Sequence, residues 1–323
     1  MTPYYQSQGV TIYHGDSRQV LEKLPDESVH CVVTSPPYWG LRDYGKNGQM
    51  GLEETPEEFL AGMVELFGQV RRVLRTDGTC WINMGDSYAN PSSGGGGAVD
   101  VRTDGRKTTP GDKVRGRKAA VNTMAAGLKQ KDLCGIPWRL ALALQADGWW
   151  LRQDIIWHKP NPMPESCTDR CTKAHEYLFL MTKRPRYFYD ADAIREKPAT
   201  GGLLQGGDGE SWHDHENDAV LGDRRDATHN GKFCGVGGRN KRTVWTIPTQ
   251  PYREAHFATF PPALVEPCIK AGCPEGGTVL DPFMGSGTAG QVAVRHSCEF
   301  IGIELSEEYI QLALGRFKQQ VLF

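Results

Sequence analysis

Residues 34–39, which read TSPPYW, combine side chains and backbone groups that could position an amine. The hydroxyl oxygen of Ser35 and the backbone carbonyl of Pro36 could each accept one N–H bond from the same amine. Proline rings lock φ, which fixes the direction of that carbonyl. An aromatic ring at Tyr38 could stack on a planar base that has left its helix. The tract predicts a site that orients an exocyclic amine, although the same residues also fit a proline-stiffened strand end.

A second tract, residues 279–288, reads VLDPFMGSGT and carries glycines at Gly285 and Gly287. Glycines at the end of a strand permit close approach of the backbone to a ligand. The next apolar run ends at Glu304, about 20 residues later, where an acidic side chain can bind ribose hydroxyls. The tract predicts a nucleoside cofactor. The lack of G-x-G-x-x-G disfavours a dinucleotide, and the lack of a following Lys disfavours a triphosphate loop.

Both tracts follow short apolar runs that are typical of strands, and helical patterns separate those runs. One helix is expected from Pro56 with Thr55 as its N-cap, and another, PPALVEPCIKAG, is expected to be closed by Gly272. The run EYLFLMTK predicts a strand, which the following RYFYD (residues 186–190) is expected to continue. In an open α/β sheet, ligands bind at the carboxyl ends of the strands, where both tracts would lie.

Composition divides the chain into five segments. They are 1–87, which holds the TSPPYW half; 88–131, a flexible basic insertion; 132–190, a continuation of the first half; 191–243, a Gly-rich stretch of mixed charge; and 244–323, the half that holds the glycine tract. Both irregular segments also fit plain solvated loops.

The 323 residues carry 37 Lys and Arg against 39 Asp and Glu, a net charge of −2. A hydrophobic fraction of 39% with eight Trp excludes a fully disordered chain. No apolar run approaches the roughly 20 residues of a membrane helix, and the first residues do not resemble a secretion signal. A cytoplasmic location is therefore expected. A near-neutral charge excludes a uniformly basic protein, but it permits a local basic face for nucleic acid.

The nine cysteines are expected to be mostly reduced thiols, because no secretion signal is expected. Cys167-x3-Cys171 and Cys268-x4-Cys273 do not have the spacing of common zinc pairs. His213 and His215 have no matching second pair. No metal site is predicted.

The pairing of TSPPYW with DPFMGSGT resembles the N4-cytosine/N6-adenine DNA amino-methyltransferases. The catalytic tract precedes the cofactor tract, which is similar to the circularly permuted order called the beta group. The resemblance covers roughly residues 10–87, 133–190 and 244–318. It implies an α/β fold with a Rossmann-like methyltransferase sheet, mostly parallel, with helices on both faces and loop insertions. It also implies transfer of a methyl group from S-adenosyl-L-methionine to the exocyclic amine of a flipped base in double-stranded DNA.

The resemblance also implies roles for individual residues. The catalytic residues would be Ser35, Pro36, Pro37 and Tyr38. The cofactor-binding residues would be Asp16, Thr34, Thr259, Phe260, Pro261, Asp281, Phe283, Gly285, Ser286, Gly287, Thr288 and Glu304. DNA contacts are expected from Trp39, Arg106, Lys107, Arg115, Arg117, Lys118, Arg224, Arg225, Arg239, Lys241 and Arg242. The segments Trp157–Pro164 and His175-Glu176 also match the family, and they are interpreted as target-loop and structural positions.

The target base is predicted from association within the family, where S-P-P-Y accompanies N4-cytosine and D-P-P-Y accompanies N6-adenine methylation. Cytosine is favoured, and an adenine-directed or RNA-directed enzyme is the alternative. A non-catalytic DNA-binding relative is a further alternative, and a nicotinamide oxidoreductase is disfavoured. In the beta group, the target-recognition region lies at the position of 191–243. The resemblance leaves open a homodimer and a cognate restriction endonuclease as partners, and no membrane is expected.

Overall fold

Strands and helices alternate along the chain in the computed structural model, which describes residues 1–43, 45–89, 117–118, 127–196, 238–250 and 260–320. The strands are β1 (Tyr5–Ser7), β2 (Val10–His14), β3 (Val29–Thr34), β4 (Arg42–Asp43), β5 (Leu74–Met84), β6 (Arg117–Lys118), β7 (Trp150–His158), β8 (His175–Thr182), β9 (Val244–Thr246), β10 (Thr278–Asp281) and β11 (Glu299–Glu304). The helices are α1 (Ser17–Leu21), α2 (Pro56–Val73), α3 (Ile136–Ala146), α4 (Pro262–Gly272), α5 (Thr288–Arg295) and α6 (Glu307–Gln320), with a 3₁₀ helix at Asp192–Ile194.

One mixed sheet, in the order β1-β2-β11-β10-β3-β5-β8-β7-β9, holds nine of the described strands. Within this order, the five consecutive strands β2, β11, β10, β3 and β5 each run parallel to the next. Strands β1, β8 and β7 add antiparallel pairings towards the two edges, and β9 pairs with β7 in parallel. The predicted α/β sheet is confirmed, and its parallel part is the centre. β4 and β6 form a separate two-stranded sheet.

Alternation along β5 distributes the core over both faces of the sheet. Cys80 and Ile82 are buried in a cluster with the apolar side chains of α1, α2 and α3. Thr79 and Trp81 point to the other face, where α4 crosses at Gly272. Helices α4, α5 and α6 pack in succession on that face. Both faces of the central strands are therefore covered, as parallel sheets require.

Helix α2 begins where the sequence predicts it. Thr55 Oγ1 accepts from the Glu58 backbone N–H at 3.2 Å, and Glu58 Oε2 accepts from the Thr55 N–H at 3.1 Å. This capping box and Pro56 at the first helical position satisfy and pre-shape the first turn. The apolar side chains at three- and four-residue spacing, including Phe59, Met63 and Leu66, are buried against the sheet.

One local prediction is confirmed and another is wrong. Helix α4 ends at Gly272, as predicted, and Cys273 is its C-cap. A Cβ at Gly272 would lie 2.2 Å from Thr79 Oγ1, so the glycine allows the helix to approach β5. RYFYD does not continue β8, which ends at Thr182. The Phe188 N–H bonds instead to Asp77 O, at 2.8 Å.

The chain divides into two compact units, one made of Met1–Asp190 with Arg242–Phe323 and the other of Ala191–Lys241. In the smaller unit, the described residues include an isolated antiparallel bridge between Glu196 and Arg239. No helix among the described residues is long and apolar enough to cross a membrane. The same part of the chain holds no cluster of three or more His, Cys, Asp or Glu side chains that could hold a metal ion. His213 and His215 lie outside it.

Candidate active site

The two tracts meet at the carboxyl edge of the parallel strands. Thr34 is the last residue of β3, and Asp281 is the last residue of β10, its direct neighbour. Glu304 ends β11 on the other side of β10, and the Gly15 N–H of the β2 end bonds to Glu304 O at 2.9 Å. Four adjacent strands therefore deliver the predicted catalytic and cofactor residues to one edge, as expected for an open α/β sheet.

A direct hydrogen bond joins the two tracts. The Thr34 hydroxyl donates to Asp281 Oδ1 at 2.7 Å, and the Phe283 N–H donates to the same oxygen at 3.0 Å. Asp281 is fully buried, and its second oxygen, Oδ2, is buried without a hydrogen-bond partner in the part of the chain that the structure describes. Burial raises the pKa of Asp281 to about 7, although the bond from Thr34 acts in the opposite direction. A buried carboxyl oxygen that lacks a donor fits a ligand with a donating or cationic group.

The glycine turn is fastened to the end of the next strand. Glu304 Oε2 accepts from the Gly285 N–H and Glu304 Oε1 accepts from the Ser306 N–H, both at 2.8 Å. Gly285 and Gly287 have φ of +52° and +77°, the left-handed region that favours glycine. Burial raises the pKa of Glu304, and backbone hydrogen bonds counteract that rise. The acidic residue predicted to bind ribose therefore also fixes the shape of the glycine turn.

The hydroxyl groups of the glycine turn are directed inward. Arg316 Nη1 donates to Ser286 Oγ and to Thr288 Oγ1, each at 3.0 Å, and Arg316 itself is buried. The side chains of Ser286 and Thr288 anchor the turn to α6, and the predicted cofactor contact of these two residues stays a prediction. Sequence reasoning missed Arg316, because nothing in a lone arginine 28 residues beyond the turn marks it as a partner.

Asp16 lies at the end of β2, where it caps α1. Its carboxylate accepts from the Arg18 backbone N–H at 2.9 Å and from Arg18 Nη2 at 2.5 Å. Burial acts to raise the pKa of Asp16, but the Arg18 bonds outweigh it and lower that pKa. The neighbouring Ser17 hydroxyl donates to Pro282 O, which ties this strand end to the glycine tract. Asp16 thus lies at the strand ends where the cofactor is predicted to bind, and its lowered pKa keeps its carboxylate charged.

After Thr34, which ends β3, the TSPPYW tract continues as a loop without helix or strand structure. Pro36 is buried, whereas Ser35, Pro37 and Tyr38 are half-buried at the edge of the sheet. The Tyr38 hydroxyl donates to Glu176 Oε2 at 2.9 Å. Burial, and then the Glu176 charge, raise the pKa of Tyr38 well above its usual value, so the phenol stays protonated.

The predicted contact between Trp39 and DNA is wrong. The indole of Trp39 is 1% exposed, and its Nε1 donates to Glu53 O at 2.9 Å. It belongs to the apolar core with α2, where a large aromatic ring contributes by burial.

The structure describes some of the other predicted site residues fully, some only by their backbone and some not at all. Phe260 lines a small pocket together with Thr34, and Pro261 precedes α4 as its N-cap. Arg239 and Lys241 pair with Glu196, at 3.2 Å and 3.9 Å, and Arg242 is exposed. The backbones of Arg117 and Lys118 form β6. Thr259, Arg106, Lys107, Arg115, Arg224 and Arg225 lie outside the described residues.

The geometry is typical of Rossmann-like α/β enzymes, in which ligands bind at the carboxyl ends of the parallel strands. Comparison with known proteins identifies the family within this class. The N6/N4 methyltransferase family, described as DNA methylase, matches residues 29–315. The Type II methyltransferase M.Cfr9I of Citrobacter freundii is 44% identical over 96% of this chain and 88% of its own length. M.XycI of Xanthomonas campestris pv. cyanopsidis is 46% identical over 97% of this chain and 89% of its own length.

Solved structures share the fold. The PvuII DNA methyltransferase, described as cytosine-N4-specific, has a TM-score of 0.63 at 19% identity, and the match covers 98% of this chain and 88% of that one. A DNA modification methylase of Thermus thermophilus, solved with S-adenosyl-L-methionine and described as putative, has a TM-score of 0.57 at 24% identity. That match covers 96% of this chain and 93% of the other.

The chain therefore belongs to the DNA methylase family of N6/N4 methyltransferases. The predicted fold class, methyl donor and reaction class are confirmed. The protein is an S-adenosylmethionine-dependent DNA amino-methyltransferase.

Proposed function

We propose that this enzyme methylates N4 of cytosine within a short specific site of double-stranded DNA. The observation that carries the proposal is the 2.7 Å bond between Thr34 and Asp281, because it puts the Ser-Pro-Pro-Tyr loop beside the cofactor turn. Cytosine rather than adenine is favoured by Ser35 at the first position of that loop. The PvuII enzyme, which shares the fold, is described as cytosine-N4-specific.

The proposed catalytic groups act by holding one amine. The lone pair of an exocyclic amine is delocalised into the base ring, so the free amine is a weak nucleophile. Ser35 Oγ and the Pro36 carbonyl accept its two N–H bonds, which draws the nitrogen towards tetrahedral geometry and localises the lone pair. Tyr38 stacks on the flipped base, and Pro37 keeps the loop rigid. Catalysis is then mainly positioning and preorganised hydrogen bonding.

The cofactor site is proposed along the ends of β10, β11 and β2. S-adenosyl-L-methionine supplies an electrophilic methyl group on a sulfonium when it is bound. Asp281 Oδ2 is the buried acceptor for a donor on its amino-acid part, and Glu304 is the acceptor for its ribose hydroxyls. Gly285 leaves room for the ligand beside the turn, whereas a Cβ at Gly287 would lie 2.9 Å from Ala313 Cβ, so this glycine lets the turn pack against α6. Asp16 would meet the adenine. Phe260, Pro261, Thr34 and Phe283 would line the site.

DNA recognition is proposed to use the basic residues of 88–131 and 191–243, in particular Arg239, Lys241 and Arg242. Arginine and lysine contact guanine edges and phosphates well. The relatives are named Type II methyltransferases, and we extend this class to the present chain, with a cognate restriction endonuclease as its counterpart. The homodimer and the cytoplasmic location stay predictions.

Nucleoside analysis tests the proposed base. The enzyme is incubated with methyl-labelled S-adenosylmethionine and DNA of varied sequence, and the digested product is identified by mass spectrometry. N4-methylcytosine is expected, and N6-methyladenine would replace the proposed base with adenine.

A Ser35→Ala variant tests the catalytic assignment in the same assay. Because it removes one acceptor for the amine, kcat should fall by about 10²-fold, while the Kd for S-adenosylmethionine stays unchanged. Unchanged turnover would remove Ser35 from the chemistry.

A further inference from the structure

Glu176 lies beside the TSPPYW loop, where it holds the hydroxyl of Tyr38. The Tyr38 hydroxyl donates to Glu176 Oε2 at 2.9 Å, and the nearby Ser35 side chain acts to lower the pKa of Tyr38, as a donor to the phenol oxygen does. A carboxylate only accepts, so Tyr38 uses its single proton on Glu176. Towards the Tyr38 oxygen, the Ser35 hydroxyl can then act only as the donor.

The end of strand β7 holds the Glu176 carboxylate in place. Lys159, the residue after the strand, forms an ion pair with Glu176, and the two side chains are only 15% and 17% exposed. The ammonium of Lys159 lies 4.2 Å from the centre of the Trp157 ring, a cation–π contact. Trp157 is itself fixed, because its Nε1 donates to Ile247 O at 2.8 Å. The carboxylate that accepts from Tyr38 is therefore held by a half-buried lysine that is itself packed on a fixed indole ring.

Gly85 leaves the space that this arrangement needs. A Cβ at residue 85 would lie 2.8 Å from Tyr38 Cε2 and 3.1 Å from the Glu176 carboxyl carbon. The tyrosine ring and the carboxylate are therefore packed directly against the backbone that follows β5. Asn83 Oδ1, at 3.5 Å, is a more distant second acceptor for the Tyr38 hydroxyl.

We propose that Glu176 is a positioning residue for methyl transfer, which acts through Tyr38 on the direction of the Ser35 hydroxyl. With Glu176 as the final acceptor, the protons of both hydroxyls point away from the substrate, so the Ser35 lone pairs face the target amine. Without Glu176, Tyr38 can donate to Ser35 and occupy the lone pair that the amine requires. The inference rests on the proposed role of Ser35.

Double-mutant kinetics on the full-length enzyme test this role. Glu176→Ala should lower kcat on the order of tenfold and leave the Kd for S-adenosylmethionine within about twofold of the parent. Tyr38→Phe should also lower kcat. Because both changes act on Ser35 through the same Tyr38 hydroxyl, adding Glu176→Ala to Tyr38→Phe should lower kcat by less than about twofold more. Two independent losses that multiply, or a change confined to the KM for DNA, would overturn the proposal.

Glu176→Gln separates the loss of the acceptor from a failure to fold. The amide keeps one oxygen that can accept from Tyr38, so kcat should stay within about threefold of the parent. A loss as large as that of the alanine variant overturns the proposal. Glu27→Gln is the matched control, because it breaks the Lys183–Glu27 pair of 3.0 Å beyond the opposite end of β3, and its kcat should equal that of the parent. All rates are measured on whichever base the enzyme methylates, so an error in the proposed base does not affect the outcome.

Discussion

Asp281 is a residue whose charge costs stability and is proposed to serve cofactor binding. Its carboxyl is fully buried, and only one of its two oxygens has donors. Burial raises the pKa from 3.8 to about 7. A raised pKa means that the folded state binds the proton more tightly than the unfolded state. The tighter proton binding of Asp281 thus stabilises the folded state in full below about pH 3.8, and this stabilisation is lost as the pH rises to about 7.

Asp281→Asn should therefore stabilise the protein without cofactor, and the gain should grow between about pH 4 and about pH 8. The upper bound is about 4 kcal/mol, because one pKa unit corresponds to about 1.4 kcal/mol and the shift is about three units. The unpartnered amide of Asn will reduce this gain. Thermal unfolding at several pH values measures the difference, and a gain that is independent of pH would contradict the assigned pKa.

The same variant should bind S-adenosylmethionine more weakly, because the acceptor loses its charge. In the parent enzyme, the Kd should rise by up to about tenfold for each pH unit below about 7, where Asp281 is protonated before binding. The Asn variant should lack that dependence. Calorimetric titration measures both series, and parallel curves would assign the pH dependence to another group.

Cys31 is buried in β3, close to the catalytic loop, and has no role in the proposed chemistry. Burial raises the pKa of its thiol to about 12, so it does not supply a thiolate at neutral pH. The target nitrogen is itself the nucleophile. Cys31→Ala should leave kcat within about twofold of the parent, with a loss of stability of about 1 kcal/mol from the small cavity. Loss of turnover in a folded variant would indicate a thiol mechanism.

At the scale of elements, contact between α4 and β5 depends on the absence of one side chain. A Cβ at Gly272 would lie 2.2 Å from Thr79 Oγ1 and 2.6 Å from Trp81 Nε1, and neither atom is the end of a flexible chain. The Thr79 hydroxyl also donates to Gly272 O at 3.0 Å. The hydrogen bond between Thr79 and Gly272 therefore requires that α4 lies very close to β5.

Gly272→Ala should destabilise the protein by roughly 3 kcal/mol, because α4 must move away from β5. Gly315→Ala is the matched control, since that glycine lies in α6 with no atom within 4 Å of the added Cβ. It should stabilise the protein by about 0.5–1 kcal/mol through helix propensity. Denaturant unfolding compares the two variants. Equal effects would mean that α4 tolerates displacement from the sheet.

The helices and strands that depend on local sequence patterns were predictable from the sequence. The contacts between residues far apart in the sequence were not. Thr55, Pro56 and the spacing of apolar residues predict α2 because a helix cap is a local structure. The strand ends of both tracts are likewise local. Arg316 and Glu176 join their partners across 28 and 138 residues. The spacing of apolar residues along the sequence does not indicate such pairs of distant residues. The packing role of Gly272 was not predictable for the same reason, since it depends on a strand nearly two hundred residues earlier.

At the scale of the whole molecule, the two ends of the chain are interleaved in one sheet. β10 and β11, from the last fifty residues, lie between β2 and β3, from the first forty. β11 pairs with β2 over five residues, and β10 pairs with β3. Each half of the site is therefore completed by strands from the other half, which is how a permuted order of tracts still yields one cleft.

Interleaving predicts that cofactor binding stabilises both halves of the chain together. At about 100 times its Kd, a ligand that binds only the folded state adds about 2.7 kcal/mol to the free energy of unfolding. Because β10 and β11 cannot leave without exposing β2 and β3, the amides of all four strands should gain protection by the same amount. Hydrogen exchange with and without S-adenosylmethionine measures this gain, and Asp281→Asn, which is expected to bind the ligand weakly, is the control. Protection confined to β10 and β11 would show that the C-terminal strands open separately, and the cleft would then be assembled by the ligand rather than by the sheet.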